Sequence, residues 1–185
     1  TFLQNINVGV AITAGKLGIG FTDTNVKVGR TALDSLTTGT NNAAVGENAL
    51  TANTTGSSLT AVGTNALGSN TTASFNSAFG LNALANNTTG AVNDAFGYYA
   101  LNENTTGGAN AAFGSRSLQS NTTASNNTAM GRDALRLNTT GTQNTAVGAY
   151  ALDVSTTGDY LTAIGTNALG ENTTGDYNTA LGRQA

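Results

Sequence analysis

The sequence has no cysteine, histidine, proline or tryptophan among its 185 residues. Without cysteine there is neither a disulfide nor thiol chemistry. Without histidine and cysteine, the Ser-His and Cys-His catalytic pairs and the usual His or Cys metal sites cannot be built. Charge is scarce as well. Only 9% of residues are Asp, Glu, Lys or Arg, against roughly 25% in ordinary soluble domains. The formal net charge of −3 is mild and offers no clustered basic surface for nucleic acid. No apolar run reaches the roughly 20 residues that a membrane-spanning helix needs, so membrane insertion by this segment is not expected. No secretory signal peptide is visible. The chain begins at Thr1 and ends at Ala185 within a repeat, and it reads as a fragment of a longer polypeptide.

Asn, Thr, Gly and Ala fill the space left, and they do so periodically. A glycine recurs at Gly29, Gly46, Gly63, Gly80, Gly97, Gly114, Gly131, Gly148, Gly165 and Gly182, every 17 residues without insertion. Counting columns so that this glycine is column 5, the unit reads N-T-A-V-G-x-x-A-L-x-x-N-T-T-G-x-x over residues 25–185. Column 3 is Ala from Ala44 to Ala180, with Lys27 the exception. Column 4 is always apolar but varies from Val45 to Phe79, Met130 and Ile164. Column 8 is Ala except at Ser117. Column 9 is Leu throughout: Leu33, Leu50, Leu67, Leu84, Leu101, Leu118, Leu135, Leu152 and Leu169. Column 12 is Asn except at Leu36 and Ser155, and columns 13 and 14 are always Thr. Residues 1–24 do not fit the repeat. They read as a cap or the end of a preceding domain, such as a solenoid needs to close its core.

A 17-residue unit is too short for a helical repeat, which runs to roughly 33 residues or more. Asn and Thr are poor helix formers, whereas Thr, Val, Phe and Ile suit strands. The expected fold is therefore all-β: a parallel β-solenoid, or β-roll, of about ten 17-residue turns. One strand is expected at columns 1–4, with the column 5 glycine turning the corner. A second is expected near columns 8–11, and N-T-T-G turns back. Leu at column 9 and the apolar column 4 would fill a narrow core. Asn at columns 1 and 12 would stack into hydrogen-bonded ladders.

Adjacent strand residues face opposite sides. With Leu and the column 4 residues inside, the Ala columns point outward, where a constant small residue suits close approach by another copy. That predicts a homotrimer packed partly through the Ala rows. The alternative is that the corner bends enough to bury both neighbours in one chain.

The stretch Asn144 to Leu152, NTAVGAYAL, resembles the N-S-x-A-I-G repeats in the heads of trimeric autotransporter adhesins. The full unit with N-T-T-G is closer to repeats of phage tail-fibre and bacterial surface proteins that end in a self-cleaving intramolecular chaperone domain. Lys16 to Gly20, KLGIG, resembles an element that often precedes such arrays. The resemblance implies a left-handed parallel β-roll, a trimer, an extracellular place on a bacterial surface or virion tail fibre, and a role in attachment. The unit here is longer than the common adhesin head repeat.

Catalysis is not expected. The acids are scattered over free columns, and Asp159 and Asp176, one period apart, sit in a turn with nothing to tune one against the other. No phosphate loop or calcium loop occurs, and no cofactor or metal is implied. The N-T-T triplets match a glycosylation pattern but read as turn chemistry. The residues that stand out for recognition are free-column aromatics, with Tyr98 and Tyr99 foremost, then Tyr150, and Arg116 and Arg132 in neighbouring turns; Phe75, Tyr160 and Tyr177 are of the same kind. Exposed tyrosines stack on sugars and anchor protein contacts. The expected function is a non-enzymatic structural and adhesive module that contacts a cell-surface glycan or protein. A pure spacer is one alternative. An ice-binding solenoid is the other, but its Thr rows at columns 2, 13 and 14 form no strict T-x-T pattern.

Overall fold

The computed structural model describes residues 24–185. Of the expected cap at residues 1–24, all but Thr24 lies outside the described residues, and so does the KLGIG element. The fold is an all-β solenoid in which one three-residue strand recurs in every turn. The strands are β1 (Val26–Val28), β2 (Ala43–Val45), β3 (Thr60–Val62), β4 (Ser77–Phe79), β5 (Asp94–Phe96), β6 (Ala111–Phe113), β7 (Thr128–Met130), β8 (Thr145–Val147), β9 (Thr162–Ile164) and β10 (Thr179–Leu181). They form one parallel sheet in sequence order. Register is the period itself: Ala44 pairs with Ala61, Ala61 with Ala78, and so on without slippage. With parallel strands ~4.8 Å apart, the stack extends for roughly 45 Å.

The second strand is absent among the described residues. Columns 6–11 form a continuous arc of hydrogen-bonded turns instead. The reason is the backbone at columns 7 and 9, which is left-handed in every turn. The column 9 leucines have φ from 48° to 53°. Left-handed residues at columns 7 and 9 curl the chain, so the extended geometry of a strand is lost. The turns still stack by main-chain bonds, as in Leu67 N–H to Ala83 O at 3.0 Å.

That curl corrects the expected facing of the side chains. The Ala columns point inward: Ala44, Ala61, Ala78, Ala95, Ala112 and Ala129 are fully buried on the strand side, as are Ala49, Ala66, Ala83 and Ala100 on the arc. Leu50, Leu67, Leu84, Leu101, Leu118, Leu135 and Leu152 are fully buried beside them, and Leu169 is partly buried against the cluster. Column 4, expected inside, faces out. Val45, Phe79, Phe113, Met130 and Ile164 are 36–47% exposed. On the strand, alternation holds and sends column 4 outward opposite the inward Ala. On the arc, alternation does not apply, and Ala and Leu both turn in. A trimer packed through Ala rows is therefore excluded, because those rows are the core of a single chain.

Asparagine lines the remaining corner in two ladders. At column 12, Asn87 Nδ2 donates to Asn70 Oδ1 at 3.0 Å, and Asn104 to Asn87 at 2.8 Å. The same Nδ2 of Asn87 also holds the turn carbonyl of Gly90 at 2.9 Å. At column 1, each Asn Oδ1 accepts the backbone N–H one turn later, as in Asn110 N–H to Asn93 at 3.0 Å. Asn53, Asn70, Asn87, Asn104, Asn121 and Asn138 are fully buried, so these N-T-T asparagines serve the turn and offer no surface for a glycan. Beside them Thr37, Thr54, Thr71 and their equivalents through Thr156 each donate Oγ1–H to the column 13 carbonyl of the next turn.

At the other corner the glycines Gly46, Gly63, Gly80, Gly97, Gly114, Gly131, Gly148 and Gly165 have φ of 129–146°. That region is closed to residues with a Cβ. A Cβ on Gly114 would lie 2.5 Å from the carbonyl oxygen of Gly131 in the next turn.

Candidate functional site

Because a residue touches its counterpart 17 positions away, side chains far apart in sequence are neighbours on the surface. The five recognition candidates come together in this way. Tyr99, Arg116 and Tyr150 lie in column 7, a column that also holds Asp133, and Tyr98 and Arg132 lie in column 6 of the same run of turns. Tyr98 and Tyr99 pack against each other with ring centroids 4.4 Å apart. The Arg132 guanidinium sits over the Tyr150 ring at 4.7 Å, a cation–π arrangement. Tyr98 is 51% exposed.

Asp133 gathers the arginines of this patch, and sequence reading passed over it as one of the scattered acids. It is fully buried. Arg116 Nη2 donates to Asp133 Oδ2 at 2.8 Å, and its Nε lies 2.8 Å from Oδ1 as an ion-pair contact outside hydrogen-bonding geometry. Arg132 and Arg136 approach the same carboxylate at 3.6 and 3.8 Å, and Arg136 bonds Asp153 at 2.8 Å. The signal was available in the period. Adding 17 to Arg116 gives Asp133, to Arg136 gives Asp153, and to Arg30 gives Glu47; all three are ion pairs. Hydrogen bonding to Glu47, and then its charge, raises the Arg30 pKa further.

The other aromatics lie elsewhere. Tyr160 and Tyr177 stack with centroids 4.9 Å apart in column 17, the column of Phe75. Phe75, Tyr99, Tyr150, Tyr160 and Tyr177 share one property: each has φ between 57° and 62°. Asn occupies the same columns at Asn41, Asn48, Asn65, Asn82, Asn126 and Asn167 with similar φ. Asn tolerates the left-handed region well, whereas bulky side chains there are outliers. These aromatics therefore stand at conformational cost outside the buried core.

Asp159 and Asp176 are used structurally. Asp159 Oδ1 accepts from the Thr142 backbone N–H at 2.6 Å and its hydroxyl at 3.0 Å, and Asp176 Oδ1 accepts from the Asp159 N–H at 2.8 Å. Ser57, Ser74 and Ser125 do the same in other turns. The Thr rows do not form an ice-like plane. Column 13 hydroxyls donate within the stack, and only column 14 forms an unbroken exposed row.

Ahead of the charged patch the arc is open. A groove of about 600 Å³ runs over the column 7 row of Asn48, Asn65, Asn82 and Tyr99, flanked by Thr51, Gly68, Ala85 and Asn102 of column 10. Comparison with protein-family models, curated proteins and solved structures finds no match.

Proposed function

We propose that this chain is a non-enzymatic structural and adhesive module of an extracellular fibre, of the tail-fibre or surface-adhesin kind, that assembles as a homotrimer and attaches to a cell surface. The observation that carries this reading is the outward apolar ladder of column 4. It runs through every strand from Val28 to Leu181, and its Phe79, Phe96 and Phe113 rings stack at 4.7 and 4.9 Å. A continuous apolar row of this length is unusual on a monomer. Its partner must present complementary groups at the same pitch. A second copy in parallel register does so rung for rung, and closed rotational symmetry lets every copy use the same face. The aromatics outside the core support attachment over a spacer role, since the Ala-Leu core and the Asn ladders hold the stack without them.

Light scattering on the purified chain tests the assembly. A mass three times 18.4 kDa is the expected result. A monomer at micromolar concentration overturns the fibre reading and leaves a self-contained solenoid.

A further inference from the structure

The groove over the Asn48–Asn65–Asn82 ladder has a chemistry that the fold does not require. Thr31 Oγ1 donates to Asn48 Oδ1; Asn48 Nδ2 then donates to Asn65 at 3.1 Å, and Asn65 to Asn82 at 3.0 Å. Each such bond uses one of the two amide hydrogens and one of the two oxygen lone pairs. The Asn65 side chain keeps one donor and one acceptor, half-exposed on the wall of the groove. The pattern repeats at the turn spacing of ~4.8 Å. At one end the ladder stops and Tyr99 takes the same column. Column 10 is uncharged here, with Thr51, Gly68, Ala85 and Asn102, and small at its middle two positions, whereas further along it carries Gln119, Arg136 and Asp153. No charged side chain lines the groove.

We infer that this groove is a binding site for a neutral, extended saccharide lying along the solenoid axis. Paired donors and acceptors at regular spacing match hydroxyl groups, which both donate and accept. Tyr99 offers the apolar face on which a sugar ring stacks. The absence of charge in the lining disfavours sulfated or acidic glycans, which the neighbouring arginines would suit better. The groove lies on the arc, beyond the column 5 glycine, so it stays open when copies pack through the column 4 face. The inference deepens the attachment reading by naming the ligand class, and it rests on that reading for its biological sense.

Two substitutions test it without disturbing the backbone. Tyr99→Asn places in column 7 the residue found there at Asn82. Asn65→Gly removes the amide at a position with φ of 58°, which glycine accepts. The probes are chitohexaose, maltohexaose and cellohexaose, with a sulfated heparin disaccharide as the charged control, read by saturation-transfer NMR on the whole chain. The expected result is transfer to at least one neutral hexaose, weakened about tenfold in affinity by each substitution, with the same circular dichroism spectrum as wild type at the assay temperature. Transfer to no neutral sugar, transfer only to the sulfated probe, or transfer unaffected by both substitutions overturns the site. Attachment of labelled chain to cells separates the two claims. If Tyr99→Asn attaches as wild type does, the groove proposal fails and the attachment reading stands; if wild type does not attach, the attachment reading itself fails.

Discussion

At the scale of single residues, the asparagine ladder shows what each buried amide contributes by the place where it breaks. The column 12 ladder runs from Asn53 to Asn138 and meets Ser155. There Asn138 Oδ1 and Ser155 Oγ are buried without a hydrogen-bond partner. Leaving a buried polar atom unpaired costs about 1–3 kcal/mol. Ser155→Asn restores both donations, to Asn138 Oδ1 and to the Gly158 carbonyl. The neighbour Leu161 is no obstacle, because Asn53 and Leu59 already coexist in an equivalent corner. We expect Ser155→Asn to stabilise the chain by about 1–2 kcal/mol, seen as a higher urea midpoint. The opposite change, Asn87→Ala, should destabilise by about 2–3 kcal/mol. It removes the donor held by Gly90 O and Asn70 Oδ1, and strands the Asn104 donor. These ladders were legible in the sequence, since identical residues one period apart must stack.

At the scale of the element, the strand at columns 2–4 was legible and the arc was not. Pattern reading applied the two-residue alternation of strands to a segment whose columns 7 and 9 are left-handed. Nothing in a leucine announces that conformation. A better clue lay in the columns themselves. A close-packed core tolerates little change in side-chain volume, and column 3 stays Ala while column 4 ranges from Val to Phe. Constancy of size marked the inward row, and variation marked the outward one. The Tyr-Arg patch was half legible as a cluster: its aromatics stood out, while buried Asp133 needed the added rule that residues 17 apart touch. The glycine corner yields a sharp contrast. Gly114→Ala forces φ of 138° on a residue with a Cβ and drives that atom into the next turn's backbone. A loss of more than about 3 kcal/mol is expected. Gly68→Ala, in a column that already carries Ala85, should change stability by less than about 1 kcal/mol. Hydrogen exchange on Gly114→Ala should show the turns on both sides of the substitution opening first, since each turn is stabilised by its neighbours.

At the scale of the whole molecule, the two long surfaces make different demands. The column 4 row is apolar along the axis, whereas the column 14 threonines form an exposed polar row elsewhere on the turn. If copies associate through the strand face, charge on column 4 must separate them and charge on column 14 must not. Met130 and Ile164 are the positions to change, because they are 47% and 40% exposed and lie outside the stacked phenylalanines. Met130→Lys with Ile164→Lys brings two cations per copy into a shared apolar seam, where unpaired charge is costly. The expected outcome is a fall in mass from the threefold value to 18.4 kDa. Thr89→Lys with Thr123→Lys should keep the threefold mass. Circular dichroism should report the same sheet in all three proteins, since neither pair touches the Ala-Leu core. A threefold mass that survives lysines on column 4 and collapses with lysines on column 14 would place the seam on the polar row and leave the strand face to solvent.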